Sequence, residues 1–313
     1  MTLLEIAKTH LSTASYSVPE WMLGAFCRRS ISFADGLTDT DTRVFWLQSR
    51  GLTIDLRLPL PRDQPVLTDH SDAIRAMSDL EGWYAHTCWE NNLLSWCNGA
   101  SYQLHNRWPE PAQLRRVGNC MVEFAPSGAY VEDWRLLNES SKGPLIGLEL
   151  ESEMDVATGV VSARQGALII NGEYAGMVLG RTHTVLETEW IANGRRLKEV
   201  VTAQPDHVEA LLNFQTVIAK QAADGRYCVE HSLDSKRVGD FLTFDGFTYA
   251  QSERKLIQRL HYEGREVEWV WRIDCLEASY EYCRSTPVNN PSIRQWRAGE
   301  SPTLDRYTRA VEA

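Results

Sequence analysis

The stretch Thr42–Pro59, TRVFWLQSRGLTIDLRLP, decides how the rest of the chain is read. Val, Phe, Trp, Thr and Ile favour extended backbone, and they alternate with period two on both sides of Arg50-Gly51, where glycine permits a tight turn. With Ser49 and Leu52 flanking that turn, Gln48 faces Thr53, Trp46 faces Asp55 and Val44 faces Arg57. One face then carries Phe45, Leu47, Leu52, Ile54, Leu56 and Leu58 and is wholly apolar. The other gathers Val44, Trp46, Gln48, Thr53, Asp55 and Arg57. Two environments fit this second face. Antiparallel sheets commonly keep one face in water, where Asp55 and Arg57 would form an exposed ion pair. Alternatively the face lines a barrel cavity, where an indole beside convergent polar groups orients a ligand.

Outward from the hairpin, the pattern repeats. Strands are expected at 21–33, 83–90, 93–97, 101–108, 117–124, 129–137, 145–152, 159–164, 167–170 and 174–181. Turns fall every eight to twelve residues or so, which indicates a barrel or sandwich rather than alternating α/β units. A second β-rich part holds strands at 214–220, 226–232, 240–244, 247–252, 255–262 and 266–274. Helices are expected over 2–12, 69–80 and 205–213 and near 304–311, while 187–201 stays ambiguous. The glycines between Gly172 and Gly180 lack phosphate-loop spacing and are read as a kinked strand. The expected class is mainly β, an antiparallel barrel or barrels with a few short helices. The expected organisation is an arm over 1–19, a barrel over 20–182, a second β-rich part over 183–283 (a second barrel or the completion of the first) and a tail over 284–313.

Composition narrows the partners. A chain of 313 residues with 43% hydrophobic and 24% charged residues belongs to the globular class and can hold one large domain or two modest ones. Its net charge of −10 argues against nucleic acid, which needs a basic patch. There is no run of about 18 apolar residues, so no membrane partner is expected. The N-terminal residues lack the uninterrupted apolar core of a signal peptide, so the cytoplasm is the expected location. The 11 tryptophans are many, and buried indoles commonly line pockets or plug barrel ends. The 7 cysteines (27, 88, 97, 120, 228, 275, 283) form no CxxC pair. They read as reduced, semi-buried small hydrophobes, and no zinc site is expected.

Three strand faces collect polar groups beside aromatics: Trp46, Gln48, Asp55 and Arg57; Tyr84, His86, Cys88 and Glu90; and Tyr130, Glu132 and Trp134, with Asp133 and Arg135 opposite. Meander connectivity would let two of these meet in one cavity, where a His–carboxylate pair could move protons. Taken singly, each also fits a solvated strand face or a satisfied core histidine. His183 and His231 are further candidates, although Glu230 and His231 point to opposite faces of their strand. No nucleophile elbow, Walker loop, dinucleotide-binding glycine pattern or HExxH occurs, which disfavours covalent-nucleophile and nucleotide-dependent chemistry.

VFWLQSRGLTIDLRLP, GNCMVEF, YVEDWRLL and ALIINGEYAGMVLGR together resemble the lipocalin-like, calycin-type family of bacteria and fungi, whose members carry two lipocalin-like barrels and mostly lack an established function. The likeness spans about residues 20–182. It departs at Gly24-Ala25-Phe26, where lipocalin barrels usually have Gly-x-Trp. The resemblance implies a barrel and nominates Trp46, Gln48, Asp55, Arg57, Glu132 and Trp134 as its cavity set.

Two functional readings follow. In the first, a small, partly aromatic or acidic molecule binds in the barrel, with Trp46 and Trp134 stacking, Arg57 holding an acceptor, Asp55 orienting Arg57, and Gln48, Tyr84 and Tyr130 completing the wall. In the second, a cofactor-independent lyase, hydratase, isomerase or decarboxylase uses Asp55, His86 or Glu132 as proton shuttle, with Arg57 steadying negative charge. A partner-binding module is a third class. No cofactor and no metal is expected, and a homodimer is allowed for.

Overall fold

A computed structural model describes residues 1–12, 16–60, 70–104, 109–182, 195–287 and 290–307. The first sheet comprises β1 (Gly24–Phe33), β2 (Thr38–Asp39), β3 (Thr42–Gln48), β4 (Leu52–Pro59), β5 (Glu81–Glu90), β6 (Leu93–Ser101), β7 (Ala112–Val117), β8 (Cys120–Phe124) and β9 (Tyr130–Leu136). Each of the long strands pairs antiparallel with the next, and β9 returns to β1. The result is the expected mainly-β class with a closed eight-stranded antiparallel barrel. β2 is a two-residue appendage on β1. The Thr42–Pro59 hairpin has the register its alternation implies, with Val44 opposite Arg57, Trp46 opposite Asp55 and Gln48 opposite Thr53.

The second sheet comprises β10 (Lys142–Asp155), β11 (Val161–Asn171), β12 (Tyr174–Thr182), β13 (Gln215–Gln221), β14 (Tyr227–Ser232), β15 (Phe247–Ala250), β16 (Lys255–Tyr262) and β17 (Arg265–Glu281). Its order is β14-β13-β12-β11-β10-β17-β16-β15. Residues 142–182, expected in the first barrel, therefore belong to this sheet. The cause is non-local: β10 runs antiparallel to β17, from Lys142 opposite Glu281 to Asp155 opposite Val267. Residues 240–242, expected within a strand, hydrogen-bond along β14 (Val229 N to Asp240 O 2.8 Å, Leu242 N to Tyr227 O 2.9 Å) before the chain enters β15. The Leu3–Thr9 helix, capped by a reciprocal Thr2–Glu5 box, buries Leu3, Ile6 and Ala7 in this second core.

The hairpin holds the two sheets together. Its apolar face is not the first barrel's interior. Phe45, Leu47, Leu52, Ile54 and Leu56 pack outside it, against Ala167, Ile169, Val178 and Ile218 of the second sheet. Burying each large aliphatic side chain contributes about 1.5–3 kcal/mol. The glycines of β12 serve this contact more than a kink. A Cβ on Gly176 would lie 3.0 Å from Leu47 and 3.4 Å from Ile54, whereas Gly180 falls in a register break against β11. The turn docks as well: Ser49 Oγ donates to Asp274 at 2.7 Å, the Gly51 amide donates to the same oxygen at 3.1 Å, and Arg50 forks onto Glu277 at 2.6 and 3.1 Å.

Several expectations fall partly outside the described residues: the strand over 101–108, the helices over 69–80 and near 304–311, and the ambiguous stretch 187–201; His183 lies wholly outside them. Within the tail, the final helix spans Pro291–Tyr307 and begins well before residue 304. Among the described residues no helix is long and apolar enough to cross a membrane.

Candidate functional site

The polar face of the hairpin turns into the first barrel, so the solvent-face reading of Trp46, Asp55 and Arg57 is corrected: all are buried. Arg57 forks onto Asp55, Nε to Oδ1 2.9 Å and Nη2 to Oδ2 3.1 Å. Trp46 meets Trp134 edge-to-face at 5.3 Å. Glu123 accepts from Trp134 Nε1 at 3.1 Å and from Tyr130 OH at 3.0 Å, and it faces Glu132 across the β8–β9 ladder. Glu132 in turn accepts from Arg28 Nη1 at 2.8 Å. Towards the hairpin turn, Gln48 accepts from Trp46 Nε1 at 3.0 Å and donates to Thr87 Oγ1 at 3.0 Å.

Burial in this interior raises the carboxyl pKa of Asp55 and of Glu123. Burial pushes Asp55 up to about 6 despite the pull of Arg57. Burial, and then the neighbouring Glu132, hold Glu123 well above the usual carboxylate range. The side chains also fill the space. The cavity among Trp46, Asp55, Arg57, Trp83, Glu123 and Trp134 measures about 10 Å³, room for about one water molecule. The indole N–H groups of Trp83 and Trp96, which line it, have no hydrogen-bond partner among the described residues.

The second constellation lies elsewhere. On β5, Trp83 points into the barrel, so Tyr84, His86 and Cys88 project outward, toward the second sheet. There His86 Nε2 lies 2.8 Å from Glu149 of β10, and Arg272 of β17 binds the same carboxylate. Tyr84 OH approaches Glu149 at 3.4 Å. His86, Glu149 and Arg272, with Cys88, Cys97 and Asp274, line a cleft of about 770 Å³ between the barrel and the second sheet. Ligand sites commonly measure about 300–1,000 Å³. His86 Nδ1 has no hydrogen-bond partner among the described residues, and the exposed Arg254 stands at the cleft wall.

The structure therefore joins the first and third constellations and separates the second. Asp55 and Glu132 lie inside the barrel, where they do not meet His86. Sequence reasoning missed Arg28, Trp83, Trp96 and Glu123 of the interior and Glu149, Arg272 and Asp274 of the cleft. Alternation along MVEF places Glu123 on the inward side with Met121, a legible signal. Glu149 and Arg272 carry no such signal, because the β10–β17 ladder that sets them side by side joins distant strands and only packing of the two sheets brings them to His86. His231 stacks on Phe45 at 4.4 Å, and burial lowers it to about 4, so it is a neutral packing residue. No cluster of three or more His, Cys, Asp or Glu side chains suited to a metal occurs among the described residues.

No protein-family model matches the chain, and no curated protein matches it. Among solved structures, the chain is similar to the uncharacterized protein YLR301w from Saccharomyces cerevisiae, with 12% identity and a TM-score of 0.46 over 80% of this chain and 96% of that one.

Proposed function

We propose that this protein binds a small, anionic, partly apolar molecule, and that the ligand sits in the cleft at His86, Glu149 and Arg272 rather than inside the first barrel. The carrying observation is volume: about 770 Å³ in the cleft against about 10 Å³ in the barrel. The charge of Asp274 is directed at the hairpin turn, and that of Glu149 is shared by His86 and Arg272. With Arg272 Nε facing Glu151 at 3.8 Å and Nη2 on Glu149, Arg254 and Nη1 of Arg272 are then the groups available to an anion. Leu52, Ile273 and Tyr16 supply an apolar wall. The lipocalin-like, calycin-type resemblance belongs to this reading, supported by the closed barrel, whose interior then works as a rigid polar core.

A second reading rests on the His86–Glu149 contact. A carboxylate that holds one imidazole nitrogen leaves the other to move protons, as cofactor-independent acid–base catalysis requires.

Native mass spectrometry of freshly purified protein, with a UV-visible spectrum, tests the binding reading. A co-purifying small molecule should be lost in Arg272→Ala and His86→Ala and kept in a folded Gln48→Leu. Loss confined to the interior variant would place the ligand in the barrel and overturn the cleft.

A further inference from the structure

We propose that Cys88 and Cys97 are a reversible disulfide site on the wall of the cleft, closed by hydrogen peroxide and reopened by a small thiol, and that closing it alters ligand binding. The second clause rests on the cleft being the ligand site; the first stands without it.

The two sulfurs lie 3.2 Å apart on the neighbouring strands β5 and β6. Both are part-exposed and both line the cleft. None of the other five cysteines has a sulfur beside it: Cys27 and Cys275 are buried, Cys120 contacts Asp133, and Cys228 and Cys283 contact backbone carbonyls. Bond formation needs the sulfurs to close to about 2.05 Å. The backbone beside Cys97 departs from regular ladder geometry. Asn98 and Gly99 both have left-handed backbone (φ 58° and 84°), and the β5–β6 register breaks between Tyr84 and His86, so two residues stand opposite one. Gly99 packs against the Tyr84 carbonyl, where a side chain would not fit.

The chemistry has a direction. The Cys97 thiol donates to the His86 carbonyl at 3.7 Å, and burial, then the neighbouring Cys88, push it up to about 11, so Cys97 keeps its proton. Cys88 is thus the attacking sulfur. Its thiolate attacks one peroxide oxygen, the O–O bond breaks, and the departing oxygen leaves as water after taking up a proton. The sulfenic acid on Cys88 is then attacked by the Cys97 sulfur, the S–O bond breaks, and the hydroxide leaves as water with the Cys97 proton. Two thiols and one peroxide give one disulfide and two waters. A small thiol reverses this through a mixed disulfide, returning two electrons.

The consequence reaches the site through register. His86 is paired with Cys97 across the ladder and stands two residues from Cys88, and the Cys97 thiol lies 3.7 Å from the His86 carbonyl. A bond between the sulfurs pulls on the backbone that carries the imidazole.

The test treats the purified full chain with equimolar hydrogen peroxide, alkylates the remaining thiols and maps peptides by mass spectrometry. A loss of about 2 Da and a single Cys88–Cys97 linkage, reversed by dithiothreitol, are expected. The linkage should form about tenfold or more faster than oxidation of Cys120, Cys228 or Cys283. In Cys97→Ser, Cys88 should accumulate as a sulfenic acid trapped by dimedone, and in Cys88→Ser position 97 should not. Linkage to another cysteine, linkage between molecules, or equal alkylation of all part-exposed thiols after peroxide would overturn the site. The aromatic anion 8-anilinonaphthalene-1-sulfonate then reports on the cleft. Its affinity should change about threefold or more on oxidation of the wild type and not of Cys88→Ser. If the linkage maps as expected and binding depends on Arg272 and His86 yet does not change on oxidation, the control is overturned. If binding ignores Arg272 and His86, the cleft reading fails, and with it the control, while the mapped linkage stands.

Discussion

Trp46, Asp55, Arg57, Glu123 and Trp134 lie inside the first barrel around about 10 Å³ of space, while His86, Glu149 and Arg272 lie just outside it around about 770 Å³. Both regions combine carboxylates, a guanidinium and aromatic rings. Inside, these groups satisfy one another: Arg57 is spent on Asp55, Trp134 and Tyr130 on Glu123, and Arg28 on Glu132. Such a network is a core, because each member loses its partner if a ligand enters. In the cleft, one carboxylate serves both a histidine and an arginine that remain open to solvent on one side. Polar residues facing inward are therefore a sign of a site only where space accompanies them.

The largest expected effect breaks the interior. Arg57→Met strands Asp55 without its fork and should lower stability by about 3–5 kcal/mol in urea unfolding. A loss below about 1 kcal/mol would mean the pair is not part of a satisfied core. Next, Arg50→Ala removes the half-buried fork onto Glu277 and loosens the hairpin on the second sheet, at a cost of about 1.5–3 kcal/mol by the same measurement.

A smaller effect is read in pH. Asp55 ionises at about 6 when folded against an ordinary 3.8, so between those values the folded state binds more protons than the unfolded one. This group's stabilising contribution is present below its ordinary value and is lost as pH rises through about 6; Glu123, also held well above the usual carboxylate range, adds a loss of the same sign. Melting temperatures across this range should fall less steeply in Glu123→Gln. An unchanged slope would remove Glu123 from the titrating set. The smallest effect on stability belongs to the cleft: His86→Ala should move the unfolding midpoint by no more than about 0.5 kcal/mol. In the binding assay the same variant should lose about tenfold or more in affinity for the aromatic sulfonate. The comparison between core and cleft fails if His86 destabilises as much as Arg57.

Much of the barrel was legible. The pairing of Trp46 with Asp55 and of Val44 with Arg57 needs only period-two alternation and a glycine turn, both local properties. The third constellation joined the first because both strand faces point into one closed barrel. Alternation alone puts His86 on one face of β5 with Tyr84 and Cys88, but it does not give the surroundings of that face. Its partners Glu149 and Arg272 come from strands far along the chain, and a meander of short strands reads the same whichever sheet its members enter. For that reason the strand pattern alone assigns residues 142–182 to the first barrel, whereas they enter the second sheet.

By itself the sequence determined that the chain is mainly β, where the central hairpin turns and which residues share each of its faces, because these follow from side-chain periodicity and turn chemistry. Only the tertiary structure decided what each face meets. The apolar face packs on a second sheet, the polar face fills a barrel, and the outward face of β5 opens on a cleft. That assignment depends on ladders between residues more than a hundred positions apart, such as Leu148 with Ile273, which no local pattern encodes.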